Sequence, residues 1–195
     1  MARYEGVRVH PFESLVPAWD DMRVSLRGAS VGAASPALTA FRDDGAGSTG
    51  VSAYAYSKTL AQSLYFDVQL PHNWVAGTGL RPHVHWSPGA SADTGNVRWQ
   101  LEYTWSNAVA APGNTFPVTV LDTVDQAGAG AYAHQIAQFA EIAGTGKRLS
   151  SVLVCRLARL GNDAADTFDA VAFGLSVDFH IQVGGHGSAD EYPTG

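Results

Sequence analysis

Two stretches of this chain alternate apolar and polar residues with period two. Over 96–105, Val97, Trp99, Leu101, Tyr103 and Trp105 share one side, and Arg98, Gln100, Glu102 and Thr104 share the other. Over 171–183, Val171, Phe173, Leu175, Val177, Phe179, Ile181 and Val183 oppose Ser176, Asp178, His180 and Gln182. Successive side chains on a strand point to opposite faces, so both stretches predict half-buried β-strands. A third alternation, Leu64, Phe66, Val68 and Leu70 against Ser63, Tyr65, Asp67 and Gln69, ends at Pro71, which has no N–H to give a ladder. Shorter strands are predicted over 22–26, 37–41, 51–56, 81–86, 116–120 and 150–160, separated by Gly-, Pro- and Asp-bearing turns. The segment 132–142 is ambiguous. Tyr132, Ile136, Phe139 and Ala140 suit one helical face, whereas the surroundings favour a strand.

About eight to ten strands at this spacing predict an all-β, jelly-roll-like antiparallel β-sandwich. An up-and-down barrel is a competing topology that the spacing does not exclude. Residues 1–30 read as an N-terminal arm with a first short strand, and 31–195 as a single sandwich domain. Pro11 and Pro17 discourage regular pairing in the arm, where 7–12 reads as a short strand or an extended arm.

Composition narrows the function classes. Of 195 residues, 46% are apolar and only 15% charged, with 21 Gly and 9 Pro, as a many-turned β protein requires. The net charge of −6 and the lack of a basic run disfavour a nucleic-acid partner. No apolar run approaches the roughly 18–20 residues that span a bilayer, and no membrane partner or signal peptide is expected. The single Cys155, inside an apolar run, reads as a buried thiol.

The chemistry-bearing residues are few. His83 and His85 stand two apart on one strand, Glu102 follows, and His180 comes near the end. Two imidazoles on one strand face with a carboxylate and a third His resemble the cupin pattern for a divalent metal. The faces argue against it. His83 and His85 oppose Val84 and Trp86, Glu102 opposes the Trp99 side, and His180 opposes Phe179 and Ile181. All four therefore point away from the core, and no metal or other cofactor is expected. Glu102 with Asp178 as a glycosidase pair, and Cys155 as a nucleophile, lack supporting motifs, so no catalytic residue is assigned. Trp99 and Trp105 lie on a core face, while Trp74 lies in a loop and is a candidate for exposure at an interface or sugar platform.

The combination Leu70-Pro71-His72, then Pro82-His83-Val84-His85-Trp86, then Trp99-Gln100-Leu101-Glu102-Tyr103, resembles a group of small structural proteins of tailed bacteriophages. Trp19-Asp20-Asp21, Asp178-Phe179-His180 and Gly187-Ser188 extend the resemblance over most of 19–191. It implies a virion component made in the host cytoplasm, most simply a capsid decoration or cement protein that binds the major capsid protein. It further implies a homotrimer, with Trp19, His72, Trp74, His83 and His85 at contacts. Alternatives are a head-fibre or tail-fibre component, a cupin-like metal enzyme, or a carbohydrate-binding module.

Overall fold

Antiparallel strands form where the alternation is strongest, and the shorter apolar runs fill the positions between them. The structure, a computed structural model, describes residues 18–42, 50–89, 94–108, 116–128, 130–185 and 187. The arm over 7–12, most of the loop over 45–50 and the tail from 188 lie outside the described residues. The strands are β1 (Ala18–Ser25), β2 (Ser30–Val31), β3 (Ala37–Arg42), β4 (Val51–Tyr56), β5 (Ala61–Gln69), β6 (Arg81–Pro88), β7 (Asn96–Ser106), β8 (Val118–Gln126), β9 (Gln135–Gln138), β10 (Val152–Leu160) and β11 (Ala172–Val183).

They form two sheets. One has the order β3-β4-β11-β6-β9, with β1 also paired to β11; the other has the order β2-β5-β10-β7-β8. From β4 onward every connection changes sheet except the β7–β8 link. Four strands, β4-β11-β6-β9, thus face β5-β10-β7-β8, which is the jelly-roll order. An up-and-down barrel would instead keep consecutive strands side by side, so that alternative fails. Residues 18–25, placed with the arm on sequence, run antiparallel along β11 in register Ala18↔Val183 to Ser25↔Ser176. The next residue, Leu26, is buried in the core.

The interior is filled by the alternating sides. Leu64, Phe66 and Val68 of β5, Val97, Trp99, Leu101 and Trp105 of β7, Leu153 and Leu157 of β10, and Val177, Phe179 and Ile181 of β11 are all buried in one cluster. Fully burying each of these large apolar side chains contributes roughly 1.5–3 kcal/mol.

Three expectations change. The first concerns β11, whose apolar row does not lie on one face. The register against β6 shifts between Gly174 and Ser176. The extra residue of a bulge reverses the facing of everything before it. Gly174 and Ala172 therefore take the core side, where a Cβ on Gly174 would stand 2.8 Å from the Tyr56 ring and 2.9 Å from Leu26. Phe173 turns outward instead and meets the rings of Phe41 and Tyr132 at 5.0 and 6.3 Å. The second concerns 132–142, which holds no helix. Gln135–Gln138 forms β9 on the edge of β6, because pairing satisfies the β6 backbone groups that a helix would leave open.

The third is Trp74, which is not exposed. At 3% exposure its ring lies 5.8 Å from that of Trp105, and its backbone bridges Val183. The Pro71 corner turns it inward, so it offers no platform to a sugar and no surface to a partner. One polar group also goes where alternation along β10 put an apolar one. Arg159, on the Leu157 side, is 0% exposed and is held by Asp166, itself buried.

Candidate functional site

The outer face of the six-stranded sheet carries the polar chemistry, and cross-strand register assembles it. Asp21 of β1, His180 of β11 and Arg81 of β6 form one row. Arg23, Asp178, His83 and Gln138 of β9 form the next. Ser25, Ser176, His85 and Ile136 form the third. Directly opposed residues on a sheet bring their side chains within reach, so residues about a hundred positions apart in sequence become neighbours.

His83 Nε2 lies 3.0 Å from His85 Nε2, and His85 Nε2 lies 3.4 Å from Asp178 Oδ2. On its other side, His85 Nδ1 stands 2.6 Å from Nε2 of His134, and the two rings stack 4.9 Å apart. His83 also meets the edge of His180 at 4.8 Å between centroids. His180 Nε2 is 2.7 Å from Asp21 Oδ1, a pair about half exposed.

All these side chains point away from the sandwich interior, as the alternation predicts. They are not uniformly solvated, however. His83 is 6% exposed and Asp178 5%. The Asp178 Oδ1 atom accepts no hydrogen bond and has the Arg23 Nε 3.9 Å away. Burial lowers the pKa of His85, with His83, His134 and Arg23 adding to the effect and the Asp178 carboxylate opposing it. A depression of about 450 Å³ beside the cluster is lined by Arg81, His83, Gln138, Phe139, Glu141 and His180.

Glu102 does not belong to this group. It lies on the outer face of the other sheet, where its Oε2 accepts from Arg156 Nε at 2.7 Å and pairs with Nη2 at 2.6 Å. The cupin-like set His83, His85, Glu102 and His180 is therefore split between sheets. A Glu102–Asp178 pair is likewise separated by the whole sandwich, whose sheets pack about 10 Å apart. Cys155 is buried with its thiol pKa pushed up to about 12, which removes thiolate character at neutral pH. Ser176, the row partner of His85, is fully buried with its Oγ unpartnered, so it offers no hydroxyl to solvent.

The remaining interface candidates separate as well. Trp19 is 45% exposed on the outer face, with the Arg81 guanidinium 4.4 Å from its ring centroid. Arg81 in turn donates from Nε to Glu141 Oε2 at 2.9 Å. His72 sits at the corner after β5, with Nε2 2.9 Å from Ser150 Oγ. Sequence reasoning missed Asp178, His134 and Asp21 as members of the histidine cluster. The Asp178-x-His180 alternation placed Asp178 on the polar side, but only the β11–β6 pairing shows it facing His83. His134 directly precedes β9, in step with Ile136 and Gln138, but the helix-or-strand ambiguity of 132–142 hid which face it takes.

No family model matches the chain, and no curated protein matches it.

Proposed function

We propose that this chain is a bacteriophage virion structural protein, a capsid decoration or cement protein that binds the major capsid protein and associates with itself as a trimer. The observation that carries the reading is the disposition of its side chains. The space between the sheets is packed with apolar residues, and the distinctive groups lie on the two outer faces. A cement protein needs this arrangement: a rigid interior and two faces free to meet neighbours.

The face of the five-stranded sheet suits that role. Tyr65, Val118, Val120, Val124 and Val154 are each more than 40% exposed there. Clustered apolar residues on an outer sheet face mark contact surfaces more often than solvated ones. The motif combination around Pro82-His83-Val84-His85-Trp86 supports the phage assignment, and a closed ring is the usual form of self-association.

The test is co-sedimentation of the purified protein with shells of the major capsid protein. Binding that raises the temperature of shell dissociation, and that Val120→Asp or Val154→Asp abolishes without altering the circular dichroism, is the expected result. Binding to isolated tails or fibres but not to shells would overturn the cement assignment in favour of a fibre part.

A further inference from the structure

We infer that His83, His85 and Asp178 form a binding site for one divalent first-row transition-metal ion on the outer face of the six-stranded sheet. Their donor atoms lie within 4.8 Å of one another. The two imidazole nitrogens are 3.0 Å apart, and the carboxylate oxygen is 3.4 Å from the second. With metal–ligand bonds of about 2.0–2.1 Å, neighbouring donors stand roughly 3.0 Å apart in an octahedral site and about 3.4 Å in a tetrahedral one. Both spacings lie within this range, and the third pair, His83 with Asp178, lies within 4.8 Å, so side-chain adjustment alone can bring the three donors onto one ion.

Three further features point to an ion rather than to a polar patch. Asp178 is a buried carboxylate whose Oδ1 accepts no hydrogen bond. Its nearest cation, the exposed Arg23, stands 3.9 Å off, so this buried carboxylate is only weakly compensated, and an ion seated at Oδ2 would neutralise it at closer range. Second, coordination through His85 Nε2 leaves the ring proton on Nδ1, which then donates to His134 Nε2 at 2.6 Å. Metal-bound imidazoles characteristically donate their second N–H in this way, which fixes ring and tautomer. Third, His85 is 16% exposed on its side chain and opens the site to entry, while Asp178 is 7% exposed and closes its floor.

Two nitrogens and one carboxylate oxygen suit zinc, cobalt, nickel or iron better than calcium or magnesium, which prefer all-oxygen sites. Three protein donors leave positions for water or for a donor from a neighbouring molecule. A second group, Asp21, His83 and His180, shares His83. We assign the ion to the first group because Asp21 and His180 are about half exposed and already satisfy each other at 2.7 Å.

The experiment is titration of chelator-treated full-length protein with Zn(II) by calorimetry and with Co(II) by visible absorption. One ion per chain is expected, with a Co(II) spectrum of mixed nitrogen and oxygen coordination. Asp178→Asn and His85→Gln should lose binding, His180→Ala should keep it, and His134→Ala should weaken it by about 10–100-fold. Imidazole NMR of the unaltered protein makes the test independent of any variant's folding: Zn(II) should shift the His83 and His85 resonances and leave His180 in place. Absence of binding by the wild type, retention of binding in Asp178→Asn, or a shift centred on His180 would overturn the assignment. The outcome does not depend on the virion reading, which the co-sedimentation test addresses separately.

Discussion

Asp166→Ala should be the most damaging single change to a charged residue in this protein. The Arg159 guanidinium has five N–H donors, and each has an acceptor. Nε donates to Asp166 Oδ2 at 2.9 Å and Nη2 to Asp166 Oδ1 at 2.8 Å. The remaining donors reach the carbonyls of Tyr56 at 3.2 Å, Ala170 at 2.7 Å and Phe168 at 2.9 Å. Both charged side chains are 0% exposed. Removing the carboxylate leaves a guanidinium out of water with two donors open, and breaking such a buried pair costs about 3–5 kcal/mol. Asp166 Oδ2 also accepts from the Arg98 backbone N at 3.0 Å, so a further loss of about 1 kcal/mol follows.

The total, roughly 4–6 kcal/mol, is a large share of the 5–15 kcal/mol typical of a whole domain. For a chain of this size it corresponds to a fall in Tm of roughly 8–24 °C. Urea unfolding followed by tryptophan fluorescence measures it directly, since Trp74, Trp86, Trp99 and Trp105 are all buried. A second variant isolates the stranded charge. In Arg159→Met/Asp166→Ala no charge is stranded, so the double variant should be more stable than Asp166→Ala alone. It should still fall short of the wild type, because the three carbonyls lose their donors. A loss below about 1 kcal/mol in Asp166→Ala, a value within the range of surface changes, would refute the account. So would a double variant no more stable than the single one.

Two other expectations follow from burial. Cys155, with its thiol pushed up to about 12, should resist alkylation at pH 8 in the native protein and react fully in denaturant; rapid native labelling would show that β10 opens readily. Burial raises the pKa of Asp125, against the opposing effect of the bond from Trp86 Nε1 at 2.7 Å. The folded state therefore holds the Asp125 proton more tightly than the unfolded chain, and this group's contribution is present at acid pH and lost as pH rises through the elevated value. Asp125→Asn keeps an acceptor for Trp86 and removes the charge. It should raise Tm relative to the wild type at pH 7 and lose that advantage near pH 4; an equal effect at both pH values would contradict the assignment.

Much of the architecture was legible in the chain because strand periodicity is local. The alternation of 96–105 and 63–70 needs no knowledge of neighbours, since one face must be apolar wherever the strand is placed. The same local rule correctly turned His83, His85, Glu102 and His180 away from the core. It failed at β11, where a single extra residue near Leu175 reversed Phe173. Bulges are set by how two strands must bend past each other, not by the pattern of either one.

By itself the sequence determined which side of β5 and β7 is buried, the many-turned β class and the loneliness of Cys155. Only the tertiary structure decided who meets whom. The β11–β6 pairing set Asp178 against the histidines, the sheet division sent Glu102 to Arg156 on the far face, and the Pro71 corner folded Trp74 inward. The physical reason is the same in each case. A strand dictates its own faces, but its neighbours come from a topology whose contacts join residues far apart along the chain.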